Sequence, residues 1–294
     1  MVLTKDQPRA ATPKEAFAHC RKLALGHHEN FSVASWLLPR HLRAHIYTVY
    51  AYCRGVDDLG DEAEGDRLLL LDEWEAELRR CYKGSPCDIR FVALRETIRA
   101  FDIPMEPFLR LIEANRRDQR VNRFRTFEEL LDYCSYSANP VGHLVLYVFG
   151  YRDAERRRLA DATSTALQLT NFWQDVSRDL EMSRVYIPLE DMESFGYSEG
   201  DLLARRCSDE FRRLMAFEIQ RTRETFREGL RLIPLVSARL RLDLRLFTLG
   251  GLAVLDVIER ASHDVLHERP AVARARKAWL ALRAILPVGI KAAR

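Results

Sequence analysis

Segments with a helical pattern of apolar and polar positions follow one another along the chain, separated by proline, glycine and capping residues. β-Branched runs are scarce, whereas leucine, alanine, arginine and glutamate abound, which favours an all-α protein. The pattern predicts one helix that opens at Pro39 and includes residues 47–62. Further helices are predicted at residues 13–25, 66–83, 88–101, 105–117, 126–138, 141–149, 162–180, 199–206, 208–232 and 240–266. Residues 183–197, which include Pro188 and Gly196, are predicted to be irregular. We expect a flexible tail at residues 1–12 and a single all-α domain at residues 13–294.

The bulk composition excludes several classes of protein. Hydrophobic residues make up 47% and charged residues 30% of the chain, and the net charge of +3 gives no global signature of nucleic-acid binding. The six cysteines form no CxxC pair, and we interpret them as reduced thiols. No apolar run approaches the ~18 residues of a membrane span, and the N-terminal residues lack a signal-peptide core. These features predict a cytoplasmic protein.

The stretch 162–180 combines apolar residues with a row of polar ones. Gln168, Asn171, Asp175 and Asp179 follow one another at intervals of three or four residues, so they share one face of a helix. We call them the second ridge. Because like charges on one face repel, such a row favours a cation between its members. The alternative interpretation is a solvated acidic face.

A comparable row lies earlier, in the stretch 47–62. Asp57 and Asp61, like Asp58 and Glu62, are four residues apart. We call these four acids the first ridge. Carboxylates suit magnesium, which takes one or two of them together with phosphate oxygens and water. If the two ridges face each other across a helical bundle, they can hold a metal–diphosphate cluster.

Four motifs resemble the squalene and phytoene synthase family over about residues 16–258. They are YCRGVDDLGDE at 52–62, QLTNFWQDVSRD at 168–179, NFSVASWLLP at 30–39 and RVYIP at 184–188. The resemblance implies an isoprenoid-synthase-type bundle of α-helices with a central cavity. It also implies an enzyme that ionises prenyl diphosphates with Mg²⁺ as its cofactor.

The resemblance further implies roles for individual residues. The catalytic positions would be Asp57, Asp58, Asp61, Asp175, Asp179 and Tyr133. The metal ligands would be Asp57, Asp61, Asn171, Asp175 and Asp179. The substrate-binding positions would be His27, Arg54, Tyr133, Gln168, Asn171, Arg184 and Tyr186. Asp118 matches a further acid of the family pattern. Two alternatives stay open. The histidine that binds substrate is His28 instead of His27, or Arg54 forms ion pairs with the neighbouring acids and does not bind substrate.

The details of the motifs look most like the hydroxysqualene synthase branch of bacterial hopanoid biosynthesis. That branch implies presqualene diphosphate as substrate, supplied by a sister synthase, and capture of the rearranged cation by water. The run YCSYSANPVG at 133–142 carries Asn139-Pro140 where many relatives have small residues, and we infer from polarity alone that Asn139 admits or orients this water. The alternatives are a complete squalene or phytoene synthase that joins two prenyl diphosphates, and a non-catalytic helical partner of a sister synthase.

The C-terminal segment is basic. Residues 269–294 contain seven arginines and lysines and no acid, and a helix is predicted at about 270–286. Trp279, Leu282, Ile285 and Leu286 give it an apolar stripe. The stripe has two interpretations: it docks the helix on the bundle, or it contacts an anionic membrane surface at the inner face of the membrane.

Overall fold

A computed structural model describes residues 11–26 and 38–285 of the chain. Its α-helices are α1 Pro13–Gly26, α2 Arg40–Asp61, α3 Arg67–Lys83, α4 Ile89–Phe101, α5 Glu106–Asp118, α6 Phe127–Ser137, α7 Asn139–Val148, α8 Ala154–Glu181, α9 Leu189–Ser194, α10 Glu199–Leu203, α11 Asp209–Gly229, α12 Ala238–Arg260 and α13 Arg274–Ile285. A 3₁₀ helix, Leu230–Leu235, joins α11 to α12. The described part of the chain contains no β-strand beyond one isolated bridge, so the all-α prediction is confirmed.

Local signals in the sequence account for most helix ends. The Asp66 side chain accepts a hydrogen bond from the Leu69 amide at the start of α3, and Gly84 ends that helix in the left-handed conformation. Thr126 caps α6 in the same way by accepting from the Glu129 amide. Pro140 lies in the first turn of α7, where its missing N–H costs nothing, so the α6–α7 break falls at the predicted place.

Three predicted boundaries differ from the structure. Helix α8 begins at Ala154 rather than at residue 162, because Asp153 caps it. The stretch predicted to be irregular contains α9, which begins directly after Pro188. Helix α12 ends at Arg260, not at residue 266, because Ser262 and His263 take positive φ angles of 54° and 63°.

The long helix α8 lies at the centre of the bundle. It packs on α7 and α6 on one side and on α11 and α12 on the other. Trp173 in its middle is fully buried, and the indole Nε1 donates a hydrogen bond of 2.8 Å to Thr222 Oγ1 of α11. A second hydrophobic core joins α2 to α3, α4, α5 and α7. Among the described residues, no helix is long and apolar enough to span a membrane.

One buried carboxyl group is isolated. Asp243 of α12 is 4% exposed, and neither of its side-chain oxygens has a hydrogen-bond partner in the described part of the chain. Burial raises the pKa of Asp243 to about 7. The folded state therefore favours the protonated carboxyl, which stabilises the fold below the ordinary aspartate pKa. This stabilisation is lost as the pH rises from about 4 to about 7.

We expect Asp243→Asn to make the protein more stable at neutral and alkaline pH. The melting temperature of the variant should exceed that of the wild type by about 5 °C at pH 8 and by much less near pH 5, because asparagine has no charge to bury. Thermal unfolding followed by circular dichroism over this pH range measures the difference. Asp102→Asn, at a side chain that is 98% exposed, is the control and should show no such pH-dependent gain. A variant less stable than wild type at pH 8 contradicts the assignment.

Candidate active site

A cavity of about 310 Å³ opens between α2, α5, α6, α8 and the segment that follows α8. Its polar lining consists of Asp57, Asp61, Asn115, Asp118, Tyr133, Ser137, Gln168, Asn171, Asp175, Asp179, Arg184 and Tyr186. Leu111, Ala114, Phe172 and Met182 add apolar surface. Both acidic ridges thus reach one cavity.

The second ridge lines the cavity over its whole length. All four of its members face the cavity from α8, as their spacing predicts, while Trp173 and Val176 of the same helix point into the core. Asp175 and Asp179 repel each other, and burial together with this repulsion raises the pKa of Asp179 to about 7. At Asp179, burial and the charge of Asp175 therefore outweigh the attraction of Arg184 and Arg178.

The first ridge divides between two directions. Asp57 and Asp61 line the cavity from α2. Asp58 instead pairs with Arg54 at 2.6 Å, and the other end of Arg54 binds Glu62 at 2.7 Å. Arg54 thus pairs with its neighbouring acids, which was the alternative interpretation of this residue, and neither Arg54 nor Asp58 is among the lining side chains.

Asn115 of α5 positions the part of α2 that carries Asp57. Its amide donates to Asp57 Oδ1 at 3.4 Å, and its side chain lies directly over Gly60, where a Cβ atom would overlap it. Gln119, which directly follows α5, donates to the Gly60 carbonyl at 3.0 Å. Asp57 is open to the cavity yet surrounded by protein atoms, and this desolvation raises its pKa to about 6.

The segment after α8 brings Arg184 and Tyr186 to the cavity. Ser183 ends the helix with a φ of 58°, and the Val185 amide then donates to the Asn122 carbonyl at 2.9 Å, next to the bridge between Arg123 and Val185. Arg184 donates to Asp61 Oδ1 at 2.8 Å and so links the segment to the first ridge. The predicted loop residues therefore join the predicted acids.

Aromatic rings and one further acid complete the wall. Tyr186 stacks on Phe172 with ring centroids 3.9 Å apart, and Phe124 lies behind it at 5.7 Å. Tyr133 is buried beside them, and its hydroxyl donates to Asp118 Oδ2 at 3.0 Å. Burial raises the pKa of Asp118 to about 6.

Sequence reasoning missed one cation of the site. Arg269, in the segment between α12 and α13, binds Asp175 through both ends of its guanidinium group, with Nη2 donating to Oδ2 at 3.0 Å. Gln174 holds this segment by donating to the Pro270 carbonyl at 2.6 Å. Arg269 is 94 residues from Asp175 in the chain, and no spacing rule connects positions so far apart.

Two further predicted residues remain: Asn139, which lies away from the cavity lining, and His27. Asn139 is 9% exposed, does not line the cavity, and accepts a hydrogen bond from Thr165 Oγ1 at 2.9 Å. His27 lies outside the described residues, as does most of the motif at 30–39. Their predicted roles therefore rest on the sequence alone.

The donor set of the cavity fits Mg²⁺. Its carboxylate and amide oxygens are the hard ligands that magnesium prefers. Among the described residues, no three His, Cys, Asp or Glu side chains form a ready-made metal site. Ions here would be held by Asp57 and Asp61 on one side and by Asn171, Asp175 and Asp179 on the other, with phosphate oxygens and water completing the coordination. The arginines on Asp61 and Asp175 show that both ridges attract positive charge.

Comparisons with known proteins agree with this fold. The family model for squalene/phytoene synthase matches residues 25–276, and the chain belongs to this family of head-to-head prenyl synthases. It is 32% identical to 15-cis-phytoene synthase from Synechococcus elongatus, with 94% of each chain covered, and 34% identical to 15-cis-phytoene synthase from Synechocystis, with 95% of this chain and 89% of the relative covered. The crystal structure of squalene synthase HpnC from Alicyclobacillus acidocaldarius is 53% identical, with a TM-score of 0.84 over 86% of this chain and 96% of that one.

Proposed function

We propose that this protein is a hydroxysqualene synthase, which converts presqualene diphosphate and water to hydroxysqualene and diphosphate. The observation that carries the proposal is the 53% identity to squalene synthase HpnC, against 32% and 34% to the two phytoene synthases. Two acids of the motif 52–62 and five residues of the motif 168–179 line one cavity: Asp57, Asp61, Gln168, Asn171, Phe172, Asp175 and Asp179.

The ridges and their arginines account for ionisation of the substrate. Mg²⁺, when bound, neutralises the diphosphate and makes it a better leaving group. Asp57 and Asp61 would hold the Mg²⁺ from α2, and Asn171, Asp175 and Asp179 would hold it from α8. Arg184 and Arg269 can turn from their carboxylates to the phosphate oxygens, which attract a guanidinium group strongly. The C–O bond then breaks, and the electron pair leaves with the diphosphate.

The aromatic wall accounts for the fate of the cation. Phe172 lines the cavity and stacks on Tyr186, and its π system can stabilise positive charge without reacting with it. When water attacks the rearranged carbocation, a C–O bond forms and one proton must leave. Tyr133 can accept that proton at its hydroxyl oxygen while it passes its own proton to the Asp118 carboxylate. This proton-accepting pair lies on the cavity wall, and it is a different role from the admission or orientation of water inferred for Asn139.

The names of the relatives support a second candidate. Curated relatives called phytoene synthase match over nearly the whole chain, which favours a complete synthase that joins two prenyl diphosphates. A non-catalytic partner is disfavoured, because such a protein would have no use for two facing acidic ridges. In the proposed reaction a separate presqualene diphosphate synthase supplies the substrate. The enzyme would work in the cytoplasm, near the membrane that receives its apolar product.

Product analysis separates the candidates. The purified enzyme should convert presqualene diphosphate with Mg²⁺ to hydroxysqualene, with or without NADPH, and should convert farnesyl or geranylgeranyl diphosphate poorly. Gas chromatography with mass spectrometry identifies the products. NADPH-dependent squalene, or phytoene from geranylgeranyl diphosphate, would replace the proposal with the second candidate.

A further inference from the structure

The outer face of α13 is apolar. Trp279 is 45% exposed, Leu282 59% and Ile285 62%, and the small residues Ala275 and Ala278 lie on the same side. Other large apolar side chains with high exposure, such as Leu203, lie singly on other elements. A helix on the surface of a water-soluble domain normally turns charged residues outward, so this face calls for an explanation.

The inner face of α13 already has a partner. Leu280 and Ala284 are buried and pack with Leu249 and Ala253 of α12. Leu280 and Ala284 therefore dock the helix on the bundle, whereas Trp279, Leu282 and Ile285 of the predicted stripe do not. These three side chains stay exposed in the described part of the chain. Leu286, the fourth residue of that stripe, lies outside the described residues.

Positive charge borders the apolar face on both sides. At 100° per residue, Arg274 lies along one edge, and Arg276 and Arg283 lie along the other. The guanidinium groups of Arg276 and Arg283 lie 4.5 Å and 5.3 Å from the centre of the Trp279 ring. Residues 269–294 contain no acid, so the border is basic throughout.

We propose that the outer face of α13 binds the surface of a membrane that contains anionic phospholipids. Trp279, Leu282 and Ile285 would enter the boundary between headgroups and acyl chains, and the bordering arginines would bind phosphate groups. A second copy of this chain fits less well, because two such helices would bring their basic borders together. The proposal is independent of which prenyl product the enzyme forms.

The position of α13 in the chain links this surface to the active site. Arg274, the first residue of α13, is only five positions after Arg269, which binds Asp175 at the cavity. Their Cα atoms are therefore at most about 17 Å apart. Binding of α13 to lipid would hold the cavity lip close to the membrane, where an apolar product can leave without crossing water.

Vesicle binding by the full-length protein tests the proposal. We expect the wild type to co-sediment with vesicles of phosphatidylglycerol and phosphatidylcholine, and to bind vesicles of phosphatidylcholine alone at least about tenfold more weakly. Leu282→Asp should weaken binding to the anionic vesicles by about tenfold or more, because it replaces a leucine that would be buried in lipid with a charge. Leu203→Asp, at a leucine of similar exposure on α10, is the matched control and should bind like the wild type.

A spectroscopic measurement reports on Trp279 itself. The chain has four tryptophans, of which Trp36 lies outside the described residues, so the difference between wild type and Trp279→Phe is needed to isolate the emission of Trp279. That emission should shift to shorter wavelength when anionic vesicles are added. Equal binding of wild type and Leu282→Asp, or no binding and no shift in the wild type, overturns the proposal. Dimers in light scattering that Leu282→Asp abolishes would assign the face to a second copy. Circular dichroism melts confirm that each variant is folded.

Discussion

Asp175→Asn is expected to lower turnover by on the order of a thousandfold or more while leaving the helical circular dichroism spectrum unchanged. Asp175 lies on the cavity wall of α8 and already binds a cation, the Arg269 guanidinium group. Asparagine keeps the shape of the side chain but removes the charge that would hold a metal–diphosphate cluster. Asp57→Asn should act similarly from the opposite wall. Steady-state kinetics with saturating Mg²⁺ measure both effects.

Asp58→Asn is the informative comparison, because Asp58 adjoins Asp57 in the chain but pairs with Arg54 instead of lining the cavity. Its effect should be at least about tenfold smaller than that of Asp57→Asn. A chelator should stop the wild-type reaction, and added Mg²⁺ should restore it. Equal losses for Asp57→Asn and Asp58→Asn, or full turnover by Asp175→Asn, would contradict the assignment of the ridges.

Arg184→Gln is expected to reduce kcat/KM by about a hundredfold, the effect of losing charge-assisted hydrogen bonds to a phosphate group. Arg184 binds Asp61, and its positive charge lowers the pKa of Asp118 and of Asp179. Loss of the arginine therefore also removes positive charge that offsets these carboxylates. Arg184→Lys keeps the charge without the planar fork and should fall between the wild type and the glutamine variant.

Arg206→Gln controls for the general loss of an arginine. Arg206 pairs with Asp201 and its side chain is 70% exposed, away from the cavity lining, so its kinetics should stay within about twofold of the wild type. Wild-type kcat/KM for Arg184→Gln would exclude the arginine from substrate binding. Identical kinetics for the lysine and glutamine variants would show that the geometry of the fork, not the charge, is what matters.

Local periodicity made the second ridge predictable. Gln168, Asn171, Asp175 and Asp179 share a face on any α-helix, and the structure turns that face to the cavity. The first ridge was only half predictable, because Asp57 and Asp58 point about 100° apart on α2. Packing of α5, with Asn115 over Gly60, decides which of them faces the cavity.

The sequence could not predict contacts between distant segments. Arg269 contacts Asp175 because Gln174 holds the segment between α12 and α13, and neither residue type nor spacing predicts that contact. The role inferred for Asn139 came from polarity alone, whereas its actual partner is Thr165 on α8. Trp279, Leu282 and Ile285 share one face of α13, as their spacing predicts, but which side of the helix faces α12 depends on tertiary packing.

The source of the oxygen in the product tests the central claim most directly. Presqualene diphosphate is incubated with the enzyme and Mg²⁺ in water enriched in oxygen-18, without a nicotinamide cofactor, and the product is analysed by mass spectrometry. We predict hydroxysqualene that carries one oxygen-18 atom, with no product from the Asp175→Asn variant. Unlabelled alcohol, or a hydrocarbon as the main product, would contradict capture of the cation by water.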